Sequence, residues 1–345
     1  MKLPILSTIK RRYIEVILIL LHVTFAVVGF YTYFYNYRLS ESVLKQRSSE
    51  KQLILAKAGA LSLENFFDNI QNQLFSFVFS FAKIDEAAPI DLVSAQRGFR
   101  EYIGRSGSPI LGIALYDGEG NLLILEENQT GPIDKTINFS SYDFLQWSKN
   151  SDNSRKVYIS NPYTARTGGS VGKTIMVVAK PLYFGNRFKG TVAIRFSLSQ
   201  FIDTFINPLG PGVGEDSFIV DTQGVLLAGN NNLINKNLLQ YAQETKWQGS
   251  DDFVDTLTGA LRKNTTTTQW SFKMPGEKVR PFSVGISKID VPNTEKDLYM
   301  VVTSSQEDVA SALTPLRFYG IAWLGFGILT TSIGSALILI LRYSK

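Results

Sequence analysis

Cysteine is absent from the 345 residues. That excludes disulfides, thiol catalysis and cysteine-held zinc. Histidine is nearly absent: the single His22 lies inside an apolar run. Hydrolytic triads and histidine-ligated zinc both need an imidazole in a water-facing site, so neither is expected. No block of one charge sign stands out. Lys and Arg total 35 against 30 Asp and Glu, a net charge of +5 with the basic residues dispersed, which argues against nucleic-acid binding. Proline is missing from Tyr37 to Ile84, and glycine occurs there once, at Gly59. Without breakers, that stretch reads as one long helix, roughly 70 Å if unbroken.

Apolar residues are abundant, at 44% with a mean hydropathy of +0.02, so membrane segments come first. Tyr13 to Tyr35 is almost wholly apolar and about long enough for the ~30 Å hydrocarbon core. It outruns a signal-peptide core, and the aromatics Tyr31, Tyr33, Phe34 and Tyr35 suit a membrane interface. Phe318 to Leu341 is a second apolar run. Basic flanks (Lys10, Arg11 and Arg12; Arg342 and Lys345) place both ends inside and the middle outside the cell. Glu15 and His22 are polar groups within the first run, and both are expected to be structural.

Apolar residues step by three and four through Leu53, Ala56, Ala60, Leu63, Phe67, Ile70, Leu74, Phe77 and Phe81. This heptad seam suits core packing, a dimer contact, or each in a different stretch. Asp91 caps a helix with Leu92, Phe99 and Ile103 on one face. Asp117 to Asn121 is a hairpin turn; Asn128 stands where a calcium loop needs glutamate. Ala114–Leu123 (ALYDGEGNLL) lines up with Phe218–Leu227 (FIVDTQGVLL), which suggests two related α/β units in tandem. The stretch from Lys156 to Phe201 reads strand, loop, strand, Gly185-Asn186 turn, strand. The 210–214 Gly-Pro run is the expected boundary. Asn237 to Lys246 reads as a helix, and Leu257–Leu261, Thr266–Phe272, Phe282–Ile289 and Leu298–Thr303 as strands. Ser304-x-x-Glu307 is a capping box, with Pro315 expected to kink the passage into the second span.

Chemistry-bearing motifs are few. Thr167-Gly-Gly-Ser-Val-Gly-Lys173-Thr174 nearly matches a phosphate loop, but it leads into a strand and reads as a strand connection. Glu126, Glu127, Asp251 and Asp252 read as solvated loop charge rather than a catalytic pair. No enzyme activity and no cofactor or metal are expected. Asn128, Asn138 and Asn264 head short glycosylation-like patterns that arise often by chance. The candidate ligand wall is Tyr142, Trp147, Tyr158, Tyr163, Arg166, Lys180, Tyr183 and Arg195. Aromatics give apolar walls with polar tips, and arginine pairs carboxylates bidentately. Arg195, between Ile194 and Phe196 in a strand, needs a nearby acid unless it faces a ligand.

The order of long helix, Asp117-Gly turn, Tyr158-Ile-Ser160-x-Pro162-Tyr163, Lys180-Pro-Leu-Tyr183, Gly190-x-Val192 with Ser197-Leu198, and a second Asp-x-x-Gly hairpin resembles double Cache sensor domains. These are extracytoplasmic modules of bacterial and archaeal chemoreceptors and sensor histidine kinases. The resemblance covers roughly Tyr37 to Arg317. It implies an α+β fold: two transmembrane helices flanking a long helix and two tandem PAS-like antiparallel-sheet units. It also implies a small-molecule ligand in the membrane-distal unit, often a parallel homodimer, and signalling by small shifts of the membrane helices.

The expected layout is a cytoplasmic N-terminus (1–12), span (13–35), long helix (36–84), membrane-distal ligand unit (85–209), membrane-proximal unit (210–303), connecting helix (304–317), span (318–341) and cytoplasmic stub (342–345). Two departures stand out. Amino-acid-sensing relatives carry an Arg-x-Trp-aromatic run that Ser141–Leu145 lacks, and an aspartate where Arg195 aligns. An arginine there favours a carboxylate or other anion. The 345 residues hold no HAMP, kinase, methyl-accepting or cyclase region. The chain is therefore expected to be either a piece of a larger receptor or a stand-alone sensor acting on a kinase or chemotaxis partner, with a binding subunit for a kinase or transporter as the alternative and an anchored hydrolase as the last.

Overall fold

The computed structural model describes residues 4–82, 90–209, 215–229, 231–246, 250–263, 265–272 and 280–343. The expected 210–214 boundary, Ile84, Asn264 and Lys345 lie outside them, as do the side chains of Glu15 and Asp252. The chain forms two bodies, Met1–Ser48 with Gln306–Lys345, and Ser49–Ser305.

The first body consists of stretches of α1 (Pro4–Ala82) and α7 (Glu307–Tyr343). Both helices are long and apolar enough to cross a membrane. Ile17, Leu20, Phe30 and Trp323 are each more than half exposed. The contacts run antiparallel. Tyr33 Oη donates to Arg317 O at 3.2 Å, and His22 Nε2 lies 3.4 Å from Ser335 Oγ. Gly29 and Gly320 sit where a Cβ would strike Leu324 and Tyr33, so small residues set this approach. Pro315 stands inside α7 without ending it.

In the second body the seam is core. Ala56, Ala60, Leu63, Phe67, Ile70, Leu74, Phe77 and Phe81 are all buried, packed against apolar residues of both sheets. Gly285 marks the closest approach: a Cβ there would lie 2.2 Å from the Gln52 carbonyl carbon. Ile54 and Leu61, seven apart on the other side of α1, are exposed.

The first sheet module follows. It comprises α2 (Leu92–Arg105), β1 (Ile110–Asp117), β2 (Leu122–Glu127), α3 (Asp143–Ser148), β3 (Tyr158–Ile159), β4 (Tyr163–Thr164), β5 (Thr174–Phe184), β6 (Arg187–Ser197) and α4 (Leu198–Phe201). Asp91 caps α2 by accepting from Val93 N and Ser94 N. The second module comprises β7 (Glu215–Asp221), β8 (Leu226–Ala228), α5 (Leu238–Thr245), α6 (Ser250–Lys263), β9 (Thr265–Phe272), β10 (Arg280–Ile289) and β11 (Leu298–Ser305). The sheets run β2-β1-β6-β5-β3, with β4 also on β5, and β8-β7-β11-β10-β9. These are the same order twice, antiparallel throughout.

The repeat extends to side chains. Asp117 Oδ1 accepts from the amides of Glu119 and Asn121; Asp221 Oδ1 accepts from those of Gln223 and Val225. Gly120 and Gly224 both have positive φ, +90° and +78°, which the turn requires. Asn138 and Asn237 donate to the matching carbonyls, Glu119 O and Gln223 O.

Leu257–Leu261, expected as a strand, is helical within α6. Phe253, Leu257, Ala260 and Leu261 share one buried face at helical spacing, and that period outweighs the short apolar run.

Candidate ligand site

The first sheet has two different faces. Met176, Val178, Leu182, Val192, Ile194 and Phe196 belong to the large core that includes the α1 seam. The alternate residues Val177, Ala179 and Ala193, with Ala114 and Tyr116 of β1, belong to a separate cluster under α3 and the loops. Period-two alternation sends neighbours along a strand to opposite sides.

Register arranges this second face in rows. The middle row reads Leu125, Ala114, Ala193, Ala179, Tyr158 across β2, β1, β6, β5 and β3. Three alanines abreast leave a low floor in the centre of the sheet. The row on one side reads Glu127, Gly112, Arg195, Val177. The row on the other side includes Tyr116, Thr191 and Pro181.

Aromatic rings stand with the alanines in this cluster. Tyr116 lies 5.1 Å from Phe139 and 5.5 Å from Phe144; Phe139 lies 5.1 Å from Tyr142; Tyr142 lies 5.3 Å from Tyr163. Burial pushes the Tyr116 phenol up to about 12. Burial also raises Tyr163 well above its usual value, against the lowering pull of Arg195. Both phenols are therefore neutral donors at ordinary pH. Arg166, exposed, places its guanidinium 5.8 Å from the centre of the Tyr142 ring.

Arg195 has its acid. Nη1 lies 3.1 Å from Glu127 Oε1, and both side chains are about 95% buried. Nη2 donates to Ser170 Oγ at 2.9 Å and to Thr167 O at 3.3 Å. Glu127 also accepts from Gly169 N and Ser170 Oγ, both at 2.6 Å. The glycine-rich Thr167–Thr174 run is thus the β4–β5 connection, tied down by a carboxylate. Glu127 is a buried partner, which corrects the expectation of solvated loop charge. Gly112 makes the pair possible. It lies between the two in register, and a Cβ there would sit 2.6 Å from Glu127 Cγ. Among the described residues, Arg195 Nε and Nη1 still find no hydrogen-bond acceptor, and neither does Thr191 Oγ1. Nη1 is close enough to Glu127 for Coulomb attraction, yet lies off the hydrogen-bond axis.

The eight residues expected at the wall therefore separate. Tyr142, Tyr163, Arg166 and Arg195 gather around the alanine floor. Tyr158 ends the floor row on β3 and packs against that cluster, yet its ring also meets Trp147, tilted at 5.2 Å, toward the second module: Trp147 Nε1 donates to Glu295 Oε2 at 2.8 Å, and the Lys296 amine lies 5.3 Å from the Tyr158 ring centre. Tyr158 Oη also donates to Asp143 Oδ2 at 3.0 Å. Tyr183 reaches the Ser148 carbonyl at 3.0 Å. Lys180 is on the wrong face for this site. Its parity is that of Val178 and Leu182, and its Nζ lies 3.8 Å over the Phe75 ring of α1. Tyr116, Phe139, Glu127 and Thr191 escaped the sequence reading. Thr191, Ala193 and Arg195 do alternate on one strand, the one signal that was available for Thr191.

A long helix carrying two like-ordered antiparallel sheets, the first with a small-residue floor under aromatics, defines a tandem-module α+β domain. A sequence profile of the Cache domain family matches residues 40–313, and the chain belongs to that family. Its fold resembles the periplasmic sensory domain of the Campylobacter jejuni chemoreceptor Tlp1, with a TM-score of 0.60 and 14% identity, covering 76% of this chain and 97% of that one. It also resembles the ligand-binding domain of the Pseudomonas fluorescens chemoreceptor CtaA in complex with L-isoleucine (0.56, 13%, covering 79% and 98%). A third similar structure is that of the Pseudomonas aeruginosa amino acid chemoreceptor PctB in complex with L-Arg (0.52, 12%, covering 74% and 94%). No curated protein gives a significant sequence match.

Proposed function

We propose that this chain is a membrane-anchored extracytoplasmic sensor without catalytic activity of its own. α1 and α7 cross the plasma membrane, and the body between them faces outward. A small ligand sits on the alanine floor of the first module, beneath Tyr142 and Tyr163 and beside Arg195. The observation that carries this reading is the floor itself: three alanines abreast, with buried polar atoms on either side of that row that lack partners among the described residues. CtaA and PctB, structures of similar fold, hold amino acids. The signal passes through the second module to α7 and on to a kinase or chemotaxis partner. Exposed Ile54 and Leu61, one heptad apart, support a parallel homodimer along α1.

The test is a thermal-shift screen of the full chain in detergent against a pool of amino acids, organic acids, amines, amides and purines. A sensor gives a discrete stabiliser that is recovered chemically unchanged. Hydrogen exchange then slows in Tyr142–Tyr163 and in the β4–β5 connection. A pool with no stabiliser, or a stabiliser that is turned over, overturns the reading.

A further inference from the structure

We infer that the ligand is electrically neutral and carries a polar group at each end, one for Arg195 Nε and one for Thr191 Oγ1. The inference rests on the reading of the first module as the ligand site. Arg195 cannot serve as a free cation there, because Glu127 lies 3.1 Å from Nη1 with both side chains nearly water-free. Ser170 and the Thr167 carbonyl occupy Nη2. The charge at that end of the floor is already balanced. A ligand carboxylate would meet Glu127 in a dry site, and a ligand ammonium would meet Arg195; each pays desolvation without an unmatched counter-charge.

What remains open is hydrogen bonding. Arg195 Nε and Thr191 Oγ1 are buried donors with no acceptor among the described residues. Native interiors seldom leave such groups unpaired unless water or a ligand completes them. Both belong to β6 and share the face that Ala193 occupies between them. Four residues of strand put their backbones ~13 Å apart. A slim, flat molecule lying along Ala193, with an acceptor at one end and a carbonyl or hydroxyl at the other, satisfies both. The phenols of Tyr116 and Tyr163 stay protonated beside it, so the wall adds no charge.

The test sorts the screen by charge and adds a matched series: 4-hydroxyphenylacetamide, 4-hydroxyphenylacetate, tyramine and tyrosine. Neutral compounds are expected to dominate the stabilisers. Within the series the amide should bind at least about tenfold more tightly than the carboxylate. Thr191→Val should weaken the best neutral stabiliser by about tenfold, the loss of one buried hydrogen bond. Glu127→Gln frees the guanidinium and should give carboxylates about a tenfold gain. A charged compound as the tightest stabiliser of the wild-type chain, or wild-type affinity in Thr191→Val, overturns this inference and leaves the sensor reading standing. A screen with no stabiliser at all removes both.

Discussion

Lys180 is nearly fully buried, and burial alone lowers its amine from 10.5 to about 8. The Ser154 carbonyl at 3.2 Å and the Phe75 ring at 3.8 Å offset part of that cost. The folded pKa lies below the unfolded one, so between about 8 and 10.5 the unfolded chain holds more protons. Stability therefore rises with pH across that window. The cost of the buried charge is full below it and gone above it, on the order of 3 kcal/mol at most. Denaturation of wild type and Lys180→Met from pH 7 to 10.5 should show a steeper rise in wild type, since Lys296, also lowered by burial, remains in both; equal slopes would sink this account. Gly112 is the second residue-scale case. In Gly112→Ala the new methyl meets Glu126 O and Glu127 Cγ, both at 2.6 Å. It should cost about 1–3 kcal/mol in urea unfolding as the Glu127–Arg195 pair is pushed apart. Strand patterning gave Arg195 its face, but its partner comes from β2, some seventy residues back along the chain, and only register brings it near.

At the scale of elements, the β10–β11 connection joins the modules. Val157 N donates to Asn293 O at 2.9 Å, and Val157 pairs with Thr294 in a parallel bridge. Glu295 holds Trp147 at 2.8 Å and Lys156 at 3.2 Å; Lys296 donates to Asn161 Oδ1 at 2.6 Å. These are partly exposed pairs, so Glu295→Ala should cost only about 0.5–1 kcal/mol of stability. It should nevertheless speed hydrogen exchange at Val157 and at Trp147 Nε1–H; unchanged exchange would show that the connection does not hold α3. The helix–sheet joint depends on size instead. Gly285→Val places a side chain where the α1 backbone at Gln52 already lies 2.2 Å from a Cβ position. Loss of the cooperative unfolding transition is expected, since backbone cannot yield as a side-chain tip does. The seam on α1 was legible as a heptad pattern. Its burial against the chain's own sheets was not, because a partner helix and a sheet face ask for the same spacing.

For the whole molecule, orientation is directly testable because there is no native cysteine. Single cysteines at exposed Ser151 and Val171 should react with a membrane-impermeant maleimide on intact cells. Protection of both until lysis would place the sheet modules inside and overturn the sensor reading. The sequence by itself determined the two apolar helices, the unbroken long helix and the duplicated Asp-x-x-Gly hairpin. Each is written in composition or in spacing over a few turns, where chain neighbours are the physical neighbours. It also excluded thiol chemistry, since absent side chains cannot be supplied by folding, and placed the single histidine within the first apolar run. Only the tertiary structure decided that Glu127 neutralises Arg195, that Lys180 faces α1, and that Trp147 and Tyr158 lie toward the second module. Those depend on register between distant strands and on which face of the sheet each helix covers. Such contacts are fixed when hydrophobic faces pack and buried charges find partners, and no local pattern encodes them.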